Sequence, residues 1–328
     1  MRVGENPAKK SNAINVLKKH RIIMVFYVPD TADDYFSQLE QVLEISLKSL
    51  LATINITTTA ITLINNSGSN KSLDVVVEKY KDQIDKYISY SENKGKVYAV
   101  INEVRGVFEE FVTITDSDIL FFDGWEKKVF EVFKNFPKAG VVSPYPSPYT
   151  SFHFNQSVFG LNTILGKVTT GKIVDDADVE LYKLGTNLPD IDKRKGKFSW
   201  KERQYALENG KHQAIIGAYH VVSTYRTEQF KTDTSFPEVK FKNSYESFFI
   251  DCLADRYGLF RLSTTKSYMY HMGNKLDDFT NTFKHTGEDV LCKDIFNTIK
   301  QFRRVSPILV SLNRILGRIF IKYKWNRN

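Results

Sequence analysis

The chain has 328 residues but only two cysteines, Cys252 and Cys292. Two thiols so far apart build neither a disulfide framework nor the paired spacing of a zinc site, and they point to a reducing compartment. No apolar run is long enough to span a bilayer. The opening residues, Met1 to Pro7, contain no hydrophobic segment of the secretory-signal type. Internal repeats are absent. Residues 300–328 contain eight basic residues and no acidic one, while the other 38 basic residues balance 38 acidic ones. The net charge of +8 is therefore local to the tail, which excludes a broadly basic nucleic-acid-binding face; no nucleic acid is expected as a partner.

What is present is an ordinary soluble-protein composition, 42% hydrophobic and 26% charged, with an aromatic fraction of 13% that favours a packed α/β interior over disorder. The most informative stretch is 112–122, an apolar and β-branched run interrupted by Asp116 and Asp118. Burying two ionised carboxylates without partners is costly, so the pair belongs where a strand ends and the backbone turns outward. In extended chain, residues i and i+2 point to one side, so both carboxylates can face one cation while Ser117 faces away. Hard oxygen ligands of this kind suit Mn²⁺ or Mg²⁺ bridged to substrate phosphates. Three residues alone are a weak signal, equally open to a capping use, and the surroundings have to decide.

Residues 21–29 form a buried strand closed by Pro29, and 35–51 repeat apolar residues at helical spacing. A second strand, 58–64, runs into the turn cluster 65–70. Strand, helix, strand implies a parallel sheet with a right-handed crossover, and in such sheets ligands bind at the carboxyl ends of the strands. The segments 29–34, 65–70 and 116–118 all lie at such ends and can line one crevice. Further on, Gly124-Trp125 opens an amphipathic helix, 141–146 reads as a strand, and 190–201 as an exposed loop within an insertion over the crevice. Residues 214–225 read as one strand with a glycine bend. The helix 243–257 has Phe248, Phe249, Cys252 and Leu253 as its buried stripe, and 260–263 and 267–273 are strand-like.

Taken in order, these residues resemble the inverting family 2 glycosyltransferases of the GT-A fold, a bacterial type, over about residues 21–274. The similarity rests on the 22–29 strand, Ile61-Thr-Leu-Ile-Asn-Asn-Ser-Gly-Ser69, Ile114-Thr-Asp-Ser-Asp-Ile-Leu120, Gly124-Trp125, Gly140-Val-Val-Ser-Pro144, Gly217-Ala218, the 246–258 helix and Tyr270-His-Met-Gly-Asn274. The resemblance implies a mixed, mostly parallel sheet flanked by helices, and transfer of a hexosyl or N-acetylhexosaminyl unit from a nucleotide sugar, a UDP-sugar above all, to a glycan or lipid-linked glycan. It implies a Mn²⁺ or Mg²⁺ cofactor held by Asp116, Asp118 and His271. It also implies a donor pocket from Pro29, Asn65, Asn66, Asn102, Asp116 and Ser117, and a catalytic carboxylate at Glu246 or Asp251. Two departures stand out: Asn65-Asn66 occupies a place where the family often has an aspartate against the uracil, and Tyr245-Glu246 one where it shows two acids. His271 taken alone is as consistent with a core histidine, and His220 with a buried-strand histidine or a sugar contact.

The tail has its own pattern. Apolar residues recur at helical spacing from Ile308 to Tyr323, with Arg314, Arg318 and Lys322 among them and Trp325 near the end. A helix of this kind suits an anionic membrane surface, or alternatively packing on the catalytic domain or on a second copy. The expected layout is a basic N-terminal tail (1–20), a catalytic domain (21–274, with an insertion or acceptor region at about 150–230) and a basic amphipathic extension (275–328). The expected location is the cytoplasm, peripheral on the inner face of the cell membrane. Two rival readings are a sugar nucleotidyltransferase, disfavoured by the absence of a Gly-rich basic loop after the first strand, and an inactive GT-A-like module that binds glycans or partners at a membrane.

Overall fold

The computed structural model describes residues 3–6, 18–31, 33–68, 71–187, 200–231, 246–287, 294–302 and 305–326. Its first half alternates strand and helix: β1 (His20–Phe26), α1 (Leu39–Thr53), β2 (Thr59–Asn65), α2 (Lys71–Tyr80), β3 (Lys86–Ser89), α3 (Lys96–Val104) and β4 (Phe111–Asp116). There follow β5 (Ile119–Phe121), α4 (Trp125–Asn135), β6 (Ala139–Ser143), α5 (Gln156–Ile164), β7 (Val168–Gly171), α6 (Asp176–Thr186), β8 (Gln204–Asn209), β9 (His212–Ile216) and β10 (Val222–Arg226). The remainder is α7 (Leu253–Arg256), β11 (Phe260–Ser263), β12 (Met269–His271), α8 (Asp278–Thr282), α9 (Ile295–Thr298) and α10 (Pro307–Asn326).

Among the described residues ten strands make one sheet in the order β3-β2-β1-β4-β10-β6-β11-β9-β8-β7, and β12 pairs with β5 in a separate two-stranded ribbon. Only β10, β9 and β7 run against the other seven, so the sheet is mixed and mostly parallel, flanked by helices, as expected. Both faces are buried, and β1 shows why its sequence is apolar throughout. Ile22, Met24 and Phe26 enter the core shared with α1 and α4, while Ile23 and Val25 enter the one shared with α3 and α7. Aromatic packing of Phe111, Phe130 and Phe133 fills the first of these cores. Beneath it the fully buried His20 and Glu126 satisfy each other through an Nδ1–Oε1 contact of 2.7 Å.

Three local expectations change. β1 ends at Phe26, so Pro29 lies beyond the strand. The stretch 214–225 is two strands, not one: at Gly217 the backbone turns, and β9 and β10 take places separated by β11 and β6. An apolar run cannot by itself say whether it continues or crosses to another position. Phe248 is 60% exposed, because the segment begins with a π-helical turn (Ser247–Asp251) that changes which side chains face inward. Ile250, Cys252, Leu253 and Ala254 are the buried apolar residues there. Most of the 190–201 loop and Tyr245 lie outside the described residues, as do Arg303, Arg304 and the side chain of Trp325.

Candidate functional site

The register of the parallel strands sets Phe26 opposite Asn65 and Val25 opposite Asp116, so three carboxyl ends open on one side. There a cavity of about 810 Å³ is lined by Asp116, Ser117, Asp118, Asn66, Lys96, Glu246 and His271, with Tyr35 and Phe36 at one wall and the end of α6 at another. That volume suits a ligand of nucleotide-sugar size.

The two aspartates sit at the joint between β4 and β5, where the run 112–122 leaves the large sheet for the ribbon. Later segments pin the joint. The Asp116 amide donates to the Val221 carbonyl at 2.8 Å, and the Asp118 carbonyl accepts from the Met272 amide at 2.8 Å. Pairing of Ile119 with His271 in the ribbon then puts His271 Nε2 3.1 Å from Asp118 Oδ2. Burial disfavours a charged imidazole here, but the Asp118 carboxylate outweighs it, and His271 is pushed up to about 9. The other carboxylate oxygen, Asp118 Oδ1, is buried and accepts no hydrogen bond from the described residues. A buried acceptor left open in this way is costly unless a ligand completes it.

Asp116 forms an ion pair with Lys96, which sequence reasoning missed. Burial raises the Asp116 carboxyl above its ordinary value, Asp118 adds to that, and Lys96 opposes it. The Lys96 ammonium is raised in turn: burial pulls it down, but Asp116, Glu246 and Asp118 together prevail. Lys96 opens α3, so its cation and the positive end of that helix reach the same cleft. Asn66 orders this corner. Its Oδ1 accepts from the Lys94 amide at 2.9 Å, its Nδ2 donates to Asn93 Oδ1 at 3.0 Å, and Asn93 accepts from the Gly95 amide at 2.8 Å. The available clue to Lys96 was a lysine directly after Gly95 at the start of a helix, facing a strand-end Asp.

The remaining candidates divide sharply. Glu246 lines the cavity. Asp251 does not: it is buried, with Oδ1 accepting from Arg261 at 2.9 Å and Oδ2 beside His220 Nδ1 at 3.2 Å. Burial alone would raise its carboxyl, yet the Arg261 guanidinium holds it below the ordinary carboxylate value. Asn65 is buried and spent on the turn, its Nδ2 donating to the Gly68 carbonyl at 3.0 Å and its Oδ1 accepting from the Ser67 amide at 2.8 Å. Asn102 is exposed on α3, and neither it nor Pro29 is part of the cavity wall. The region 150–230 does reach the crevice, through Gly185, Thr186 and Asn187. A Cβ at Gly185 would lie 2.7 Å from the His271 carbonyl, so only glycine lets α6 close against the ribbon.

As for a metal, the trio Asp116, Asp118 and His271 is not assembled as a cage; among the described residues no three His, Cys, Asp or Glu side chains are grouped to hold an ion. The pair Asp116 and Asp118 at the cavity wall, with Asp118 Oδ1 unpartnered among the described residues, fits instead the habit of Mg²⁺ and Mn²⁺, which take one or two carboxylates and complete their shell from substrate phosphates.

The crevice thus gathers two aspartates, Glu246, Lys96 and the N-terminus of α3 at the carboxyl ends of the parallel strands. Comparison with known proteins is more specific: residues 35–177 match the model of glycosyl transferase family 2. A curated relative is the poly-beta-1,6-N-acetyl-D-glucosamine synthase of Staphylococcus epidermidis, 26% identical over 110 residues, or 34% of this chain and 24% of that one. The chain thus spans about a quarter of that relative's length. Solved structures with a similar course include S. aureus TarS 1-349 in complex with UDP-GlcNAc (14% identity, TM-score 0.46, covering 81% of this chain and 61% of that one). Another is the mannosyltransferase PcManGT from Pyrobaculum calidifontis in complex with GDP-Man and Mn²⁺ (12% identity, TM-score 0.44, covering 77% and 55%).

Proposed function

We propose that the chain, through a catalytic domain of residues 21–274, transfers a sugar from a nucleotide-sugar donor, with UDP-sugars as the expected class, to a glycan acceptor with inversion. The observation that carries this reading is Asp118, within the segment that matches the family 2 model: its side chain lines the cavity that also holds Asp116, Lys96 and Glu246, while its buried Oδ1 has no partner among the described residues. The named relative, a synthase of an N-acetylglucosamine polymer, supports an N-acetylhexosamine as the first donor sugar to try.

In this reading Glu246 accepts the proton of the acceptor hydroxyl. The hydroxyl oxygen bonds to the anomeric carbon from the face opposite the nucleotide, and the bond from that carbon to the diphosphate oxygen breaks with its electron pair. Lys96 and the N-terminus of α3 meet the charge that develops on the leaving diphosphate. Asp118, with Asp116 and the diphosphate itself, would hold Mn²⁺ or Mg²⁺, which supplies further neutralisation of that charge. Asn66 acts indirectly, by fixing the loop that presents Lys96. Asp251 is a positioning residue for His220 and Arg261.

Release of nucleoside diphosphate from a panel of nucleotide sugars, with Mn²⁺, Mg²⁺ or EDTA, tests the reading. Metal-dependent release from one donor, lost in Asp118→Ala, is expected. If no donor binds in a metal-dependent way, the proposal fails, and a non-catalytic module becomes the better account.

A further inference from the structure

We propose that α5 and α10 together form a membrane-docking face, and that the surface it meets is an anionic lipid bilayer. The inference is independent of sugar transfer. No helix among the described residues is long and apolar enough to cross a membrane, so the contact is with the surface.

The first observation is how firmly α10 is seated. Asn313 inserts into a break in α5 at Gly160, where ψ is −109°. Its Oδ1 accepts from the Leu161 amide at 2.7 Å and its Nδ2 donates to the Ser157 carbonyl at 2.8 Å, replacing bonds that the broken helix forgoes. Arg314 Nε donates to Asp255 Oδ2 at 3.0 Å, and Asp255 Oδ1 accepts from the Ser157 amide at 2.7 Å. At Gly317 a Cβ would stand 1.9 Å from the Gln156 carbonyl, so the two helices approach as closely as glycine permits. Phe320 stacks on Phe159 with ring centroids 5.2 Å apart. The helix is docked on the domain by a narrow polar and glycine seam.

The second observation is what that seam leaves outside. Ile308 is 71% and Ile319 62% exposed, and Leu309, Leu312, Ile315 and Leu316 lie between them on the same side. The partner helix adds Leu161, Ile164 and Leu165, the last two more than 60% exposed. Apolar exposure of this extent on two helices docked against each other is the mark of an interaction surface.

The third observation chooses the occupant. Residues 156–167 and 305–326 contain no Asp or Glu, whereas Lys167, Arg318 and Lys322 are exposed beside the apolar row. A two-fold contact with a second copy would set this patch against itself and bring like charges together with no carboxylate between them. An anionic lipid surface takes apolar side chains at its acyl boundary and cations at its headgroups at once.

Flotation of the full chain with phosphatidylcholine vesicles and with vesicles of phosphatidylcholine mixed with anionic phosphatidylglycerol tests this. Binding to the anionic vesicles at least tenfold tighter than to the neutral ones, weakened by added salt, is expected. The double variant Ile315→Ser/Ile319→Ser should lose at least tenfold, and Ile164→Ser/Leu165→Ser should also lose binding, because the face includes α5. Both pairs are exposed, so melting temperature and donor hydrolysis in solution should stay unchanged, which separates this proposal from the catalytic one. Equal binding to both vesicle types overturns it. So does absence of vesicle binding together with a concentration-dependent dimer that either double variant dissolves.

Discussion

Two aspartates, Asp251 fully buried and Asp118 half-buried with one buried oxygen, are finished differently. Asp251 has a guanidinium on one oxygen and an imidazole on the other. Asp118 has an imidazole on one oxygen and nothing among the described residues on the other, and it faces a cavity. Both cost desolvation energy, but only the first is met by the chain's own side chains on both oxygens. A carboxylate completed by protein holds structure together, whereas one left incomplete beside a cavity is kept for a ligand.

The contrast makes opposite demands on the two aspartates. Asp118→Ala should lower metal-dependent donor turnover by on the order of 10³-fold, with a loss of stability at neutral pH no larger than its pair with His271 contributes. Asp251→Ala should instead destabilise the fold by roughly 3–5 kcal/mol, a drop of roughly 10 °C in melting temperature, since Arg261 is then buried without its counter-ion. Were calorimetry to show Asp118→Ala unfolding the chain and Asp251→Ala leaving it intact, the contrast would be wrong.

His271 sharpens it. Its imidazole is raised from 6.5 to about 9, so the folded state favours the protonated form. The stability this confers is fully present below pH 6.5 and is lost as pH rises towards 9. Denaturant titrations in EDTA should therefore show a loss of ~2–4 kcal/mol across that window, absent in His271→Asn. Glu246→Gln should reduce turnover by roughly 10²-fold while donor affinity, measured by calorimetry, stays within about threefold, as removal of a proton acceptor requires. The smallest effect belongs to Lys96→Met, a loss of about tenfold in nucleoside diphosphate affinity. An unchanged affinity would leave Lys96 as no more than a counter-ion for Asp116.

Much of this arrangement is legible in the chain, for identifiable reasons. The alternation of apolar runs with turn clusters names the parallel half of the sheet, and a pair of acids inside a β-branched run can only sit where the strand ends. The order of β9, β10 and β11 is not legible, because pairing partners come from distant parts of the chain and every buried strand looks alike. Asn65 and Asn66 are adjacent and chemically identical, yet one is consumed within a turn and the other lines the cavity. Glu246 and Asp251 could not be separated from their spacing alone, since the π-helical turn between them alters the phase. Lys96 stays hidden because lysine is an ordinary surface residue, and only the pairing with Asp116 removes it from that background.

The hydrogen bonds that pin the aspartates also set an order in time. Asp116 is held by Val221 and Asp118 by Met272, both from segments made long after β4. During synthesis the amino-terminal strands can pair as they emerge, but the crevice closes only once residue 272 has left the ribosome, and long-range pairings of this kind form slowly. A nascent or truncated chain ending before that residue would carry the complete aspartate motif and no site at all.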